Sequence, residues 1–143
     1  MDESAEALCE RCAAQVDQLH RTIAAWLTGS APRTPAVFAA FADAHAEQFT
    51  MVTPDGALLR RDELFRGFEG AHGSAPGLTI RIADVDVDVV RADRECVVAT
   101  YEEWQNGAGA PSGRRSTALL DRDPAAPHGL RSRHLHETWI SRG

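Results

Sequence analysis

The spacing of apolar residues changes character once along the chain. Up to about residue 69 they recur every three or four positions; from Leu78 onward they alternate with polar ones. In residues 5–28, Leu8, Cys12, Val16, Leu19, Ile23 and Trp26 or Leu27 follow at helical steps, so one stripe of an amphipathic helix faces a core. "TGSAPRTP" then interrupts the helix with glycine and proline. Thr34 is placed to cap a second helix, with Pro35 at its first position. That helix is expected to run to about Gln48, with Phe38, Phe41, His45 and Phe49 on one stripe. "FTMV" reads as a short strand, "TPDG" as a turn, and residues 61–69 as a third helix with Leu64, Phe65 and Phe68 inward.

The second half reads as four strands: Leu78–Val90, Glu95–Gln105, Arg114–Arg122 and Leu130–Ser141. Turn-rich segments such as "NGAGAPSG" and "DPAAPHG" join them, which predicts an antiparallel meander. The first of these strands alternates in two phases. Ile80 and Ile82 fall on even positions, whereas Val85, Val87 and Val89 fall on odd ones. A regular strand cannot turn both sets to one face, so either a bulge near Ala83–Asp84 shifts the phase or both faces are partly covered. Helices that precede an antiparallel sheet define an α+β fold. A curved sheet wrapped around them leaves a pocket at its open end. A single domain over residues 1–143 is expected, with no repeat or linker.

Composition narrows the function classes. The net charge of −6 argues against a phosphate-neutralising surface, so no nucleic-acid partner is expected. No apolar run approaches the roughly 20 residues of a membrane span. The acidic start "MDESAEALCE" has no signal-peptide pattern, and a cytoplasmic location is the expectation. Cys9 and Cys12 form a C-x-x-C, but within a helix and with only Cys96 besides. They are read as packed thiols rather than as a redox or zinc motif. Asp84, Asp86 and Asp88 alternate with valines as on a solvated strand face, Asp55 belongs to its turn, and no calcium loop is present.

The candidate chemistry gathers at "RHLHETW", residues 133–139. On a strand, His134, His136 and Thr138 share one face, and Leu135, Glu137 and Trp139 the other. The apolar pair Leu135 and Trp139 marks the odd face as inner. The histidines then serve an outer, interface surface, with no metal or other cofactor expected. A metal held by His134 and His136, or both histidines in the pocket, are the alternatives. Glu137 points inward and must be paired, hydrogen-bonded or protonated. Tyr101, Glu103 and Arg115 are its candidate neighbours, with an Arg115–Glu137 pair satisfying both charges. Glu103 and Glu137, if they face each other, raise one carboxyl pKa. His45 lies on the phenylalanine stripe and faces the core or the pocket. Trp104 or Trp26 completes the candidate lining.

Three stretches carry a family resemblance: "FTMVTPDG", "RRSTALLDRD" and "LRSRHLHETW". Together with the element order, they make the chain resemble the nuclear transport factor 2-like superfamily, a cone-shaped, cystatin-like α+β roll. The similarity runs from about residue 8 to 141 and is nearest to SnoaL-like proteins, a domain-of-unknown-function group and the association domain of calmodulin-dependent kinase. It implies the cone fold and a homodimer through the sheet, and it supports an inward Glu137. It leaves three functions open: a binding module for an unknown small molecule; a cofactor-independent SnoaL- or isomerase-type enzyme with Glu137 or His45 as acid/base; or a pure assembly domain. The tyrosine-and-acid oxyanion hole of the ketosteroid-isomerase group is not matched by Tyr101, the single tyrosine.

Overall fold

The computed structural model describes residues 4–89, 95–107 and 111–140. Val90, Ser141 and part of the "NGAGAPSG" turn lie outside the described residues. The chain opens with helix α1 (Ala5–Thr28). Ser4 caps it by accepting from the Ala7 amide, and Gly29 ends it in the left-handed conformation (φ 80°), where its N–H reaches Trp26 O. Helix α2 (Pro35–Ala42) starts on the expected cap: Thr34 Oγ1 accepts from the Val37 amide at 3.3 Å.

α2 stops at Ala42 rather than continuing to Gln48. Asp43 turns the chain, and His45–Val52 form strand β1, longer than "FTMV" alone. The 3-4-4 spacing of Phe38, Phe41, His45 and Phe49 fits a helix, but the strand satisfies the backbone of His45–Val52 in a sheet instead. Both His45 and Phe49 stay buried. A short strand β2 (Leu58–Arg60), missed by the apolar pattern, pairs back onto β1 and leads into α3 (Arg61–Glu69). Glu63 closes the start of α3 by accepting from the Arg60 amide.

Four long strands follow: β3 (Thr79–Val89), β4 (Cys96–Asn106), β5 (Ser112–Arg122) and β6 (Leu130–Trp139). They form the expected antiparallel meander. β1 joins the far side of β6 in parallel, so the sheet is mixed, in the order β2-β1-β6-β5-β4-β3. It is curved and unclosed. The phase change in β3 is a bulge between Ala83 and Asp86, and Asp84 sits there at φ 54°, a conformation aspartate tolerates better than most residues. A second irregularity falls between Leu119 and Leu120 opposite β6. It lets Leu130 and Ser132, then Leu135 and Glu137, occupy the same inner face despite their opposite parity.

Two apolar clusters hold the helices to the sheet. In one, Leu8, Cys12 and Val16 of α1 pack on Val97, Ala99, Tyr101, Ala118, Leu120 and Leu130. Burying aliphatic side chains of this size is worth about 1.5–3 kcal/mol each. Cys12 is one of these packed groups, and burial pushes its thiol pKa up to about 12. In the other, Trp26, Phe41 and Phe68 meet where the three helices converge. Phe41 and Phe68 stack at 3.8 Å between ring centroids. No helix among the described residues is long and apolar enough to cross a membrane.

Candidate functional site

Between the two clusters the side chains do not close up. A cavity of about 210 Å³ remains, bounded by α1 on one side and by the inner faces of β4, β5 and β6 on the other. Leu19, Ile23, Phe41, Leu64 and Phe68 supply apolar wall, and Glu103, Gln105, Arg114 and Glu137 supply charge and polarity.

The strand registers explain why those four meet. Ser116 pairs with Glu137, and Tyr101 pairs with Ser116 on the next strand. Residues two places away on each strand share that face, which brings in Glu103 and Arg114, themselves register partners. Glu137 is 3% exposed and fully engaged. Ser116 Oγ donates to its Oε2 at 3.0 Å, and Arg114 Nη1 donates to its Oε1 at 3.2 Å.

From α1, His20 reaches the same group. Its Nδ1 lies 2.7 Å from Val16 O, and a carbonyl only accepts, so Nδ1 carries hydrogen. Its Nε2 lies 3.1 Å from Glu103 Oε1. That contact requires one proton between two acceptors, held by the imidazole or by the carboxyl. Burial works against the charged imidazole, but the hydrogen bond and charge of Glu103 outweigh it and raise the His20 pKa. Burial also works against the Glu103 carboxylate, yet His20, then Arg114 and Gln105, hold it down at about 2. The pair is therefore imidazolium and carboxylate. Gln105 Nε2 donates to the second oxygen of Glu103 at 2.7 Å.

Glu137 moves the other way. Burial and then the Glu103 charge raise its pKa, with Arg114 and Ser116 in opposition. Of the two carboxyls, Glu137 is the one that takes up a proton more readily. Tyr101, buried beside both acids, is held as a neutral phenol. His45 lines the cavity apart from this group, among Phe41, Phe49 and Phe65. Its Nδ1 donates to Phe41 O at 2.8 Å, leaving Nε2 as an acceptor. Burial lowers its pKa to about 4, so the ring is neutral near pH 7.

Of the residues singled out by sequence, Tyr101, Glu103, Glu137 and His45 all line this cavity. Three others do not. Arg115 is on the opposite face of β5, 65% exposed along its side chain and paired with Glu102, because Arg114 holds the inward parity. Trp104 lies on the outer face of β4, where it covers Gly113 and donates to Glu102. A Cβ at Gly113 would lie 2.4 Å from the Trp104 ring, so this position requires glycine. Trp26 is buried in the helical cluster, donating to Phe68 O at 2.7 Å. Trp139 is at the rim rather than the core: 44% exposed, bonded to Asp55, with the Arg114 guanidinium over its ring.

Sequence reading did not place Gln15, His20 or Arg114 in this cavity. The first two are polar residues inside the apolar stripe of α1, at helical steps from Cys12 and Val16. On the outer face, His134 bonds Thr50 at 2.8 Å, while His136 and Thr138 are exposed. His134 also borders a broad outer groove of about 560 Å³ with Glu95, Asp121 and Arg133. Among the described residues no group of three or more histidine, cysteine and acidic side chains is placed to hold a metal ion.

No protein-family model and no curated protein matches this chain. Solved structures do. An NTF2-like protein of unknown function from Pseudomonas aeruginosa is 30% identical, covers 92% of this chain and 99% of its own, and superposes with a TM-score of 0.81. A nuclear transport factor 2 (NTF2-like) superfamily protein from Salmonella enterica gives 0.71 at 14% identity, over 98% of this chain and 96% of its own. The CaMKII hub of S. rosetta gives 0.66 at 12% identity, over 98% and 99%. The chain belongs to the NTF2-like superfamily.

Proposed function

We propose that residues 1–143 act as a single domain that binds a small, mostly apolar molecule in the cavity between α1 and the sheet. One observation carries this reading: the fold leaves about 210 Å³ open beside a buried, hydrogen-bonded acid–base group. A domain with a purely architectural role fills such a space with its own side chains. The volume falls below the roughly 300–1,000 Å³ of pockets for drug-sized ligands, which points to a ligand of one ring or a short chain. Thermal unfolding against a panel of such compounds tests the reading. Stabilisation is expected for some of them in the wild type and not in Ala118→Leu, which grows a side chain into the cavity. A panel that stabilises neither protein, or both alike, contradicts it.

A second reading rests on Glu137. A cavity carboxyl with a raised pKa beside a serine and an arginine suits general acid/base work without a cofactor. Glu137→Gln separates the two: a binding module keeps its ligand, whereas an enzyme keeps the ligand and loses turnover. The outer face of the sheet, with exposed His136 and Thr138 next to His134, is proposed as a homodimer surface. The likeness to hub domains supports assembly of this kind. Sedimentation at micromolar concentration tests it, and a monomer there removes it.

A further inference from the structure

We propose that the cavity selects an uncharged molecule that presents a hydrogen-bond-accepting oxygen, such as a ketone or amide carbonyl, to the side-chain amide of Gln15. This rests on the reading of the cavity as a small-molecule site and names the class of ligand.

Gln15 sits in the middle of α1, is 4% exposed and lines the cavity. Among the described residues its Nε2 is buried and meets no acceptor. Buried amide N–H groups are nearly always hydrogen-bonded, because leaving one unmade forfeits its hydration without return. Arg114, on the same lining, also carries a buried N–H without an acceptor, at Nε. Both orphan groups are donors. The missing complement is therefore an acceptor.

The charges of the site decide what kind of acceptor. His20 is already matched by Glu103, and Arg114 by Glu137. A carboxylate ligand enters next to two acidic side chains, and an ammonium ligand next to two cations. Either leaves a buried charge unmatched or breaks one of the existing pairs. A neutral carbonyl oxygen takes the Gln15 hydrogen bond and disturbs neither pair. The rest of such a molecule is hydrocarbon, which suits the wall of Leu19, Ile23, Phe41 and Phe68.

The test uses four probes built on one ring: cyclohexanone, methylcyclohexane, cyclohexanecarboxylate and cyclohexylammonium. Their affinities for the 143-residue chain are measured by titration calorimetry, alongside Gln15→Met. Cyclohexanone is expected to bind most tightly and to weaken about three- to tenfold in the variant, the range one neutral hydrogen bond gives. Methylcyclohexane is expected to be unchanged by it. In wild-type protein, the Gln15 side-chain amide resonances shift on adding cyclohexanone, a readout that does not require the variant to fold. A charged probe that binds as tightly as the ketone, or a ketone affinity unchanged in Gln15→Met with amide resonances unmoved by the ketone, overturns the proposal and leaves the cavity a binding site. Failure of all four probes overturns the binding-site reading itself.

Discussion

Removing Arg114 is expected to destabilise the protein far more than removing its sequence neighbour Arg115. Arg114 Nη1 and Glu137 Oε1 are 3.2 Å apart, with side-chain exposures of 16% and 2%. At an effective dielectric constant of about 20, two unit charges at that separation attract by about 5 kcal/mol, a ceiling before desolvation is subtracted. Arg114→Met leaves Glu137 buried without its cation, at a cost near the low end of the 3–5 kcal/mol typical of such losses, about 3 kcal/mol. Glu137→Gln costs less, about 1–2 kcal/mol. The amide still accepts from Ser116, relieves the repulsion with Glu103, and frees a guanidinium close enough to the surface to hydrate. The double variant then costs about 2–3 kcal/mol, less than the sum of the single losses. Urea unfolding at pH 7.5 of the four proteins gives the cycle, and Arg115→Met is the control, expected within about 0.5 kcal/mol of wild type because its partner Glu102 is a surface contact. Additivity within about 0.3–0.5 kcal/mol, or an Arg115 loss equal to that of Arg114, refutes the pairing.

His45 predicts a pH dependence. Its folded-state pKa of about 4 lies below the ordinary 6.5, so the unfolded chain binds the proton more readily. Its contribution is complete above about pH 6.5 and is lost as pH falls toward 4, by roughly 3 kcal/mol at most; His45→Gln is expected to flatten stability across that window in urea titrations. The Glu103–His20 pair predicts the reverse on its basic side. His20, raised by Glu103, stabilises below its ordinary pKa and loses that contribution as pH rises through the raised value. Glu103→Gln is expected to move the His20 titration, followed by NMR of its ring protons, to lower pH, since burial is then opposed only by the Val16 hydrogen bond and the Glu137 charge. Thr34→Ala removes the cap of α2 and is expected to cost about 1 kcal/mol in thermal or urea unfolding.

The inward position of Glu137 was legible because period-two parity needs only one strand and two apolar markers, Leu135 and Trp139. Half of that inference rested on the wrong marker, since Trp139 is at the rim. Arg114 was not legible. Choosing between Arg114 and Arg115 requires the register of β5 on β6, and the irregularity at Leu119–Leu120 lies between the readable turn and the site. Gln15 and His20 were hidden for a different reason. A helical stripe is recognised by its apolar members, so polar residues at the same steps look like interruptions until a buried partner on the sheet explains them. His45 was assigned to the right interior by the wrong element, because a run of aromatic residues at helical spacing also closes a short helix onto a strand. Trp104 shows the limit of reading hydrophobicity as inwardness: its ring is the cover for Gly113 on the outer face.

The central claim is that the space between α1 and the sheet receives a ligand. Calorimetric titration of the best-stabilising uncharged fragment into wild type and Ala118→Leu tests it most directly. The account predicts one site per chain with a negative heat-capacity change in the wild type, as burial of apolar surface requires, and no binding heat in the variant. Equal affinity for both proteins would contradict it.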